Sequence, residues 1–148
     1  ATLLALRDRH CPLPQAGIAL SAFTDMTLSG KTLQSEEAYD PIMSPHCLPQ
    51  FVRLYLGDAD ARHPYASPIF ADYSGISPLL IQVGEHEIIR DDSVNAAAKA
   101  RADGVDTTLE IWPGMFHVFP SHEPLLPEAR EAIEHIAKFI EKHRLDSK

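Results

Sequence analysis

Two short apolar runs, each ending in a polar residue, do most to limit the folds open to this chain. The first, Pro78 to Val83, opens PLLIQVGEHEIIRDD; the second, Thr107 to Trp112, leads into EIWPGMFHVF. Each reads as a buried strand by its length and composition. Between them, Asp92 or Ser93 can cap a helix through Ala102, and Gly104 closes it. After the second run, Pro127 suits a first helical turn. From there Ala129, Ala132, Ile133, Ile136, Ala137 and Ile140 recur at helical spacing through His143. Strand, helix, strand, helix predicts an α/β architecture: neighbouring parallel strands in a sheet whose faces the helices cover.

The earlier part of the chain is less regular. Ala1 to Arg9 is helix-like but lacks the capping residue that normally precedes a first turn. The opening therefore reads as a cut through a helix, and the chain as the C-terminal portion of something larger. Pro12 and Pro14 mark a loop. AGIALSAF, Ala16 to Phe23, predicts another strand, buried on both faces, with Thr24 and Asp25 after it. Residues 26–77 show no clear strand. HCLPQFVRLYLGDAD holds a short helix with Gly57 as its stop, and ARHPYASPIFADYSGISP is turn-rich. About fifty such residues are long for a crossover and read as a crossover plus an insertion, the kind that forms a lid or pocket wall. The 148 residues suit one domain.

A formal net charge of −8 argues against nucleic acid and anionic membranes as main partners. No apolar run approaches the roughly 20 residues of a membrane helix. Cys11 and Cys47 stand in unrelated contexts, as free thiols in a cytoplasmic protein would.

The two predicted strand ends bring an acid and an imidazole to one sheet edge, where sites in open α/β sheets gather. His117 follows the second strand in the apolar loop PGMFHVF. A histidine there is either a buried group with one hydrogen bond or a general base, and the Pro113-Gly114 turn favours presenting the ring. An acid that accepts its second ring N–H completes two thirds of a nucleophile-activating triad. Glu87 is one candidate. Glu85 lies equally near the strand end, Asp91 and Asp92 suit the start of the next helix, and Asp25 follows the earlier strand. Spacing does not choose among them. No Gly-x-Ser-x-Gly occurs in the chain. His46, His63, His86 and His122 are scattered and form no metal-binding spacing, and no phosphate-cradling glycine loop is present.

Taken in order, ALSAFTDMTLSG, AYDPIMSP, YASPIFADYSGISPLLIQVGEHEIIRDDS and EIWPGMFHVF resemble the C-terminal half of α/β-hydrolases of the hormone-sensitive-lipase-like family, chiefly bacterial carboxylesterases. The resemblance covers nearly the whole chain. Carried over by position, the family's histidine falls on His117 and its acid on Glu87, fourth residue of GEHEIIRDD. The family more often has Asp there, so this side chain is one methylene longer. The family's nucleophile elbow and oxyanion loop would both lie upstream of Ala1.

What the resemblance implies is a carboxylic ester hydrolase for small acyl esters, working through a Ser-His-acid acyl-enzyme with no cofactor. His117 would be the base and Glu87 its orienting acid. Phe116, Val118 and the stretch Phe51 to Leu56 would line an acyl or alcohol pocket, with ordinary core packing as the competing reading. The partner implied is the upstream part of the same hydrolase domain. A homodimer through an edge strand at Thr107–Trp112 is a further expectation, and this stretch alone is expected to be inactive. Two alternatives share the scaffold. One is a serine peptidase of the prolyl-oligopeptidase type, whose histidine loop usually reads differently. The other is a non-catalytic receptor like the plant gibberellin receptors, which lack the histidine present here.

Overall fold

The computed structural model describes residues 1–35 and 39–144. Three parallel strands form one sheet in the order β1 (Gly17–Leu20), β2 (Leu79–Gly84), β3 (Thr107–Trp112). Leu79 to Gly84 pair in unbroken register with Thr107 to Trp112, and Gly17 to Leu20 pair with Leu79 to Gln82. Among the described residues four helices accompany the sheet: α1 (Thr2–Asp8), α2 (Leu48–Leu56), α3 (Arg90–Ala102) and α4 (Pro127–His143).

β2 is the central strand, and all six of its residues are buried. Its alternate side chains face different helices, as the period-two geometry of a strand requires. Leu79 and Ile81 pack with Ala96, Ala97 and Ala100 of α3 and with Val105. The alanine stripe lets that helix lie close to the sheet. On the opposite face the side-chain amide of Gln82 donates to the Ala132 carbonyl of α4 (3.0 Å) and to Glu110 of β3 (2.8 Å). Ala129 and Ala132 of α4 close over Phe119 to make a second buried cluster. The loop after β3 is therefore held by the core and not merely tethered at its ends.

β3 and α4 have the predicted bounds, and β2 lies one residue further along than predicted. Two expectations need correction. β1 is shorter than Ala16 to Phe23 and is not buried on both faces: Ile18 and Leu20 are exposed. Nor do Asp92 or Ser93 cap α3, which already begins at Arg90; Ile89 holds the cap position without a side-chain bond. Both residues are buried inside the first turns, and the Asp92 carboxylate is committed elsewhere.

Between β1 and β2 the described residues form no strand, only α2 and short 3-10 turns at Lys31–Gln34 and Pro68–Phe70. Residues 36–38 of the expected insertion lie outside the described residues. α2 stops at Gly57, as predicted. It buries Leu48 but leaves Phe51, Leu54 and Tyr55 exposed. Leu48 packs on Ile88 and Ile89, directly after Glu87, so this segment rests against the turn that carries the acid. Cys11 and Cys47 are free and exposed. No helix among the described residues is long and apolar enough to cross a membrane.

Candidate active site

β2 ends at Gly84, and the chain turns back at once, with the Glu87 amide donating to the Gly84 carbonyl (3.3 Å). That turn points the Glu87 side chain inward, where it is 0 % exposed. Oε1 accepts from the Gly84 amide (2.6 Å) and from the Ser21 hydroxyl (2.7 Å). Oε2 lies 3.0 Å from Nδ1 of His117. A carboxylate only accepts, so Nδ1 carries the proton and the Nε2 lone pair faces away from the acid. This is the tautomer that a general base for a hydroxyl nucleophile needs.

His117 reaches that position through a second turn. Beyond Trp112 the chain folds at Pro113-Gly114, with Gly114 at φ +69, a left-handed conformation that glycine adopts at no steric cost. The acid turn and the histidine loop are stitched by main-chain donors. The Glu85 amide donates to Trp112 O (2.9 Å) and the His86 amide to Met115 O (3.0 Å). The Gly114 amide donates to the Glu85 carboxylate (2.9 Å). Phe119, fully buried and 5.5 Å from the Trp112 ring, anchors the far end of the loop. The His117 side chain keeps 19 % exposure, so its ring is neither sealed in the core nor loose on the surface.

The rival acids are occupied elsewhere. Glu85 braces the Gly114 turn. Asp91 accepts the amides of Lys31 and Thr32. Asp92 accepts those of Thr24 (2.8 Å) and Asp25 (2.9 Å). Asp25 binds Thr27 and Ser29 within its own turn; burial would raise its carboxyl, but the hydrogen bonds from Ser29 and Thr27 outweigh it and hold it below the usual range. Of the acids weighed from the sequence, only Glu87 pairs with His117 among the described residues.

A family model described as the alpha/beta hydrolase fold matches residues 1–121. The chain belongs to the α/β-hydrolase family. An acetyl-hydrolase of Streptomyces hygroscopicus is 39% identical over 140 residues, covering 95% of this chain and 47% of that protein. An esterase of Acinetobacter venetianus is 33% identical, covering 99% and 49%. The solved structure of an esterase from the bacterial hormone-sensitive lipase family superposes with a TM-score of 0.92 at 40% identity, covering 95% of this chain and 48% of that one. These likenesses place the chain on the hormone-sensitive-lipase-like branch, and it spans about half the length of the relatives it matches.

Within this α/β-hydrolase chain, Phe116 and Val118 flank the histidine. Both are half-buried; Phe116 packs toward Phe119 and meets the His122 ring edge-on at 5.1 Å. A groove of about 530 Å³ over α1 and β1 is lined in part by Tyr55 but by neither of them. Two residues of the site escaped the sequence reading. Ser21 lies within the predicted apolar strand, although it is a polar residue at the same sheet edge as Glu87 and His117. Asp40 brings a carboxylate oxygen within 4.8 Å of ligand atoms of Glu87 and His117, and no local pattern marks it.

The Asp92 contacts tie the exit of β1 to α3, and they carry a pH dependence. Burial pushes this carboxyl up to about 6, against the pull of the Thr24 and Asp25 amides. In an unfolded chain aspartate titrates near about 3.9. Between roughly pH 4 and 6 the folded state keeps a proton that the unfolded state has lost, so this group's stabilisation fades as pH rises through that window. Asp92→Asn keeps an acceptor for both amides and cannot ionise. It should stabilise the protein by on the order of 1–2 kcal/mol at pH 7 and by little at pH 4. Urea midpoints at the two pH values measure this, and an equal gain at both would refute it.

Proposed function

We propose that this chain supplies the base and the acid of a carboxylic ester hydrolase acting on small acyl esters. The observation that carries the reading is the 3.0 Å contact between Nδ1 of His117 and Oε2 of a fully buried Glu87, at the edge of the sheet where the parallel strands end. His117 takes the proton of a serine hydroxyl through Nε2 as the hydroxyl attacks the ester carbonyl. It returns that proton to the departing alcohol, leaving an acyl-enzyme, and then activates water to release the acid. Glu87 holds the ring's tautomer and offsets the charge of the imidazolium. Ser21 is not that nucleophile: its hydroxyl donates to Glu87 and accepts the Val118 amide, on the acid side of the ring.

The serine and the oxyanion donors come from a part of the protein outside these 148 residues, which contain no Gly-x-Ser-x-Gly. Phe116 and Val118 flank the acyl or alcohol group, and the described residues of the segment 26–77 form the pocket wall against the acid turn. The names of the relatives, acetyl-hydrolase and esterase, favour an ester over a peptide. The free thiols of Cys11 and Cys47 favour a reducing compartment, the cytoplasm.

A fluorophosphonate probe tests the proposal. The complete protein should be labelled on one serine outside residues 1–148 and should hydrolyse p-nitrophenyl acetate, whereas the 148-residue chain alone should do neither. Labelling of a serine within the chain, or no labelling of the complete protein, would overturn it.

A further inference from the structure

We infer that Ser21 is a positioning residue for the acid–base pair, an inference that rests on the ester-hydrolase reading of the same site. Ser21 ends β1 at φ +50, and Val118, the residue after His117, sits at φ +53. Both are left-handed conformations. The second is an outlier for a β-branched residue, and glycine would occupy either at less strain. These two strained residues are bonded to each other, the Val118 amide donating to the Ser21 hydroxyl at 2.8 Å.

The same hydroxyl donates to Oε1 of Glu87 at 2.7 Å. Its direction is forced, because the carboxylate cannot donate and the amide cannot accept. Ser21 is 5 % exposed, and its own amide extends the sheet by donating to Gln82 O (2.8 Å). One buried oxygen thus joins the exit of β1, the acid turn and the histidine loop. It touches no reacting atom. With Gly84 N it holds Oε1, which leaves Oε2 aimed at His117, and it holds the backbone immediately after that ring. Strain kept at two adjoining positions, where glycine would relieve it, points to a side chain that the site needs.

Ser21→Gly and Ser21→Ala separate positioning from folding, because both remove the hydroxyl and only glycine relieves the backbone. In the complete protein both should lower kcat for p-nitrophenyl acetate by roughly 10- to 100-fold, with KM within about twofold. The glycine variant should melt several degrees higher than the alanine variant. A glycine variant with wild-type kcat would overturn the inference, because activity would then follow backbone relief and not the hydroxyl.

The second readout is solvent exchange of the His117 Nδ1 proton, followed by NMR with labelled histidine. It should quicken at least tenfold in both variants, and unchanged exchange would overturn the inference whatever the turnover. His117→Ala keeps the two failures apart. If that variant retains full turnover, the hydrolase reading fails and the exchange rates alone decide on Ser21. If it is dead while Ser21→Gly is fully active, only the positioning role fails.

Discussion

His117→Ala in the complete protein should lower kcat by about 10³-fold or more, with KM changing by at most a few-fold. The size follows from what the ring does. On the proposed function it takes and returns the proton at the reacting oxygen, and a positioned base commonly accounts for several kcal/mol of barrier lowering. Its contacts predict that the loss will be chemical and not structural. The loop is held by Phe119, by the stitched main chain and by the Val118 amide, none of which involves the imidazole. The variant should therefore fold, but melt below wild type, because the buried Oε2 of Glu87 loses its imidazole partner. Steady-state kinetics beside a thermal melt measures both, and a variant keeping more than about a tenth of wild-type kcat would remove His117 from the reaction.

Gly84→Ala should cost the most stability of any one-methyl change at this site. A Cβ at Gly84 would overlap the Met115 carbonyl, lying 2.5 Å from its carbon and 2.8 Å from the Phe116 amide nitrogen. These are main-chain atoms, and the first belongs to the carbonyl that receives the His86 amide. Neither can swing aside as a side chain would. The loop must lift, breaking the stitch, or the strand end must shift and drag Glu87 with it, because the Gly84 amide is one of the two donors to Oε1. A loss of about 3 kcal/mol is expected, in the upper range for overpacking. Turnover should fall with it, since either adjustment lengthens the 3.0 Å contact of acid and base. Denaturant midpoints at unchanged slope check the first effect. A midpoint within error of wild type would mean that the close approach is not rigid.

The regular half of the fold was readable because its signals are local. Pro127 and the alanine–isoleucine spacing bound α4, and the apolar run from Thr107 to Trp112 bounds β3. β1 was misjudged in two ways. An apolar run records affinity for a core but not which face finds one, and Ile18 and Leu20 remain exposed. Its end comes early because Ser21 turns left-handed, under the control of a hydroxyl that bonds residues 66 and 97 places away. Asp92 failed as a cap for the same kind of reason: its partners, Thr24 and Asp25, lie 68 and 67 residues off. The histidine was legible as the polar residue after a strand. The acid was not separable by spacing from Glu85, Asp91, Asp92 or Asp25, since what distinguishes the five carboxylates is the donor each one meets after folding. Family likeness picked out Glu87 where local chemistry left a tie.

The clamp between the acid turn and the histidine loop takes its donors from peptide amides, those of Glu85, His86 and Gly114, and two of its three acceptors are peptide carbonyls. Peptide groups are the same whatever side chain they carry, so the alignment survives drift in most of the residues that form it. Met115 lends the clamp its carbonyl and not its side chain, whereas Gly84, Gly114, the Glu85 carboxylate, the buried Phe119 ring and the Ser21 hydroxyl have little latitude. Side chains around the histidine loop can then change from one descendant to the next while the spacing of Glu87 and His117 is inherited unaltered.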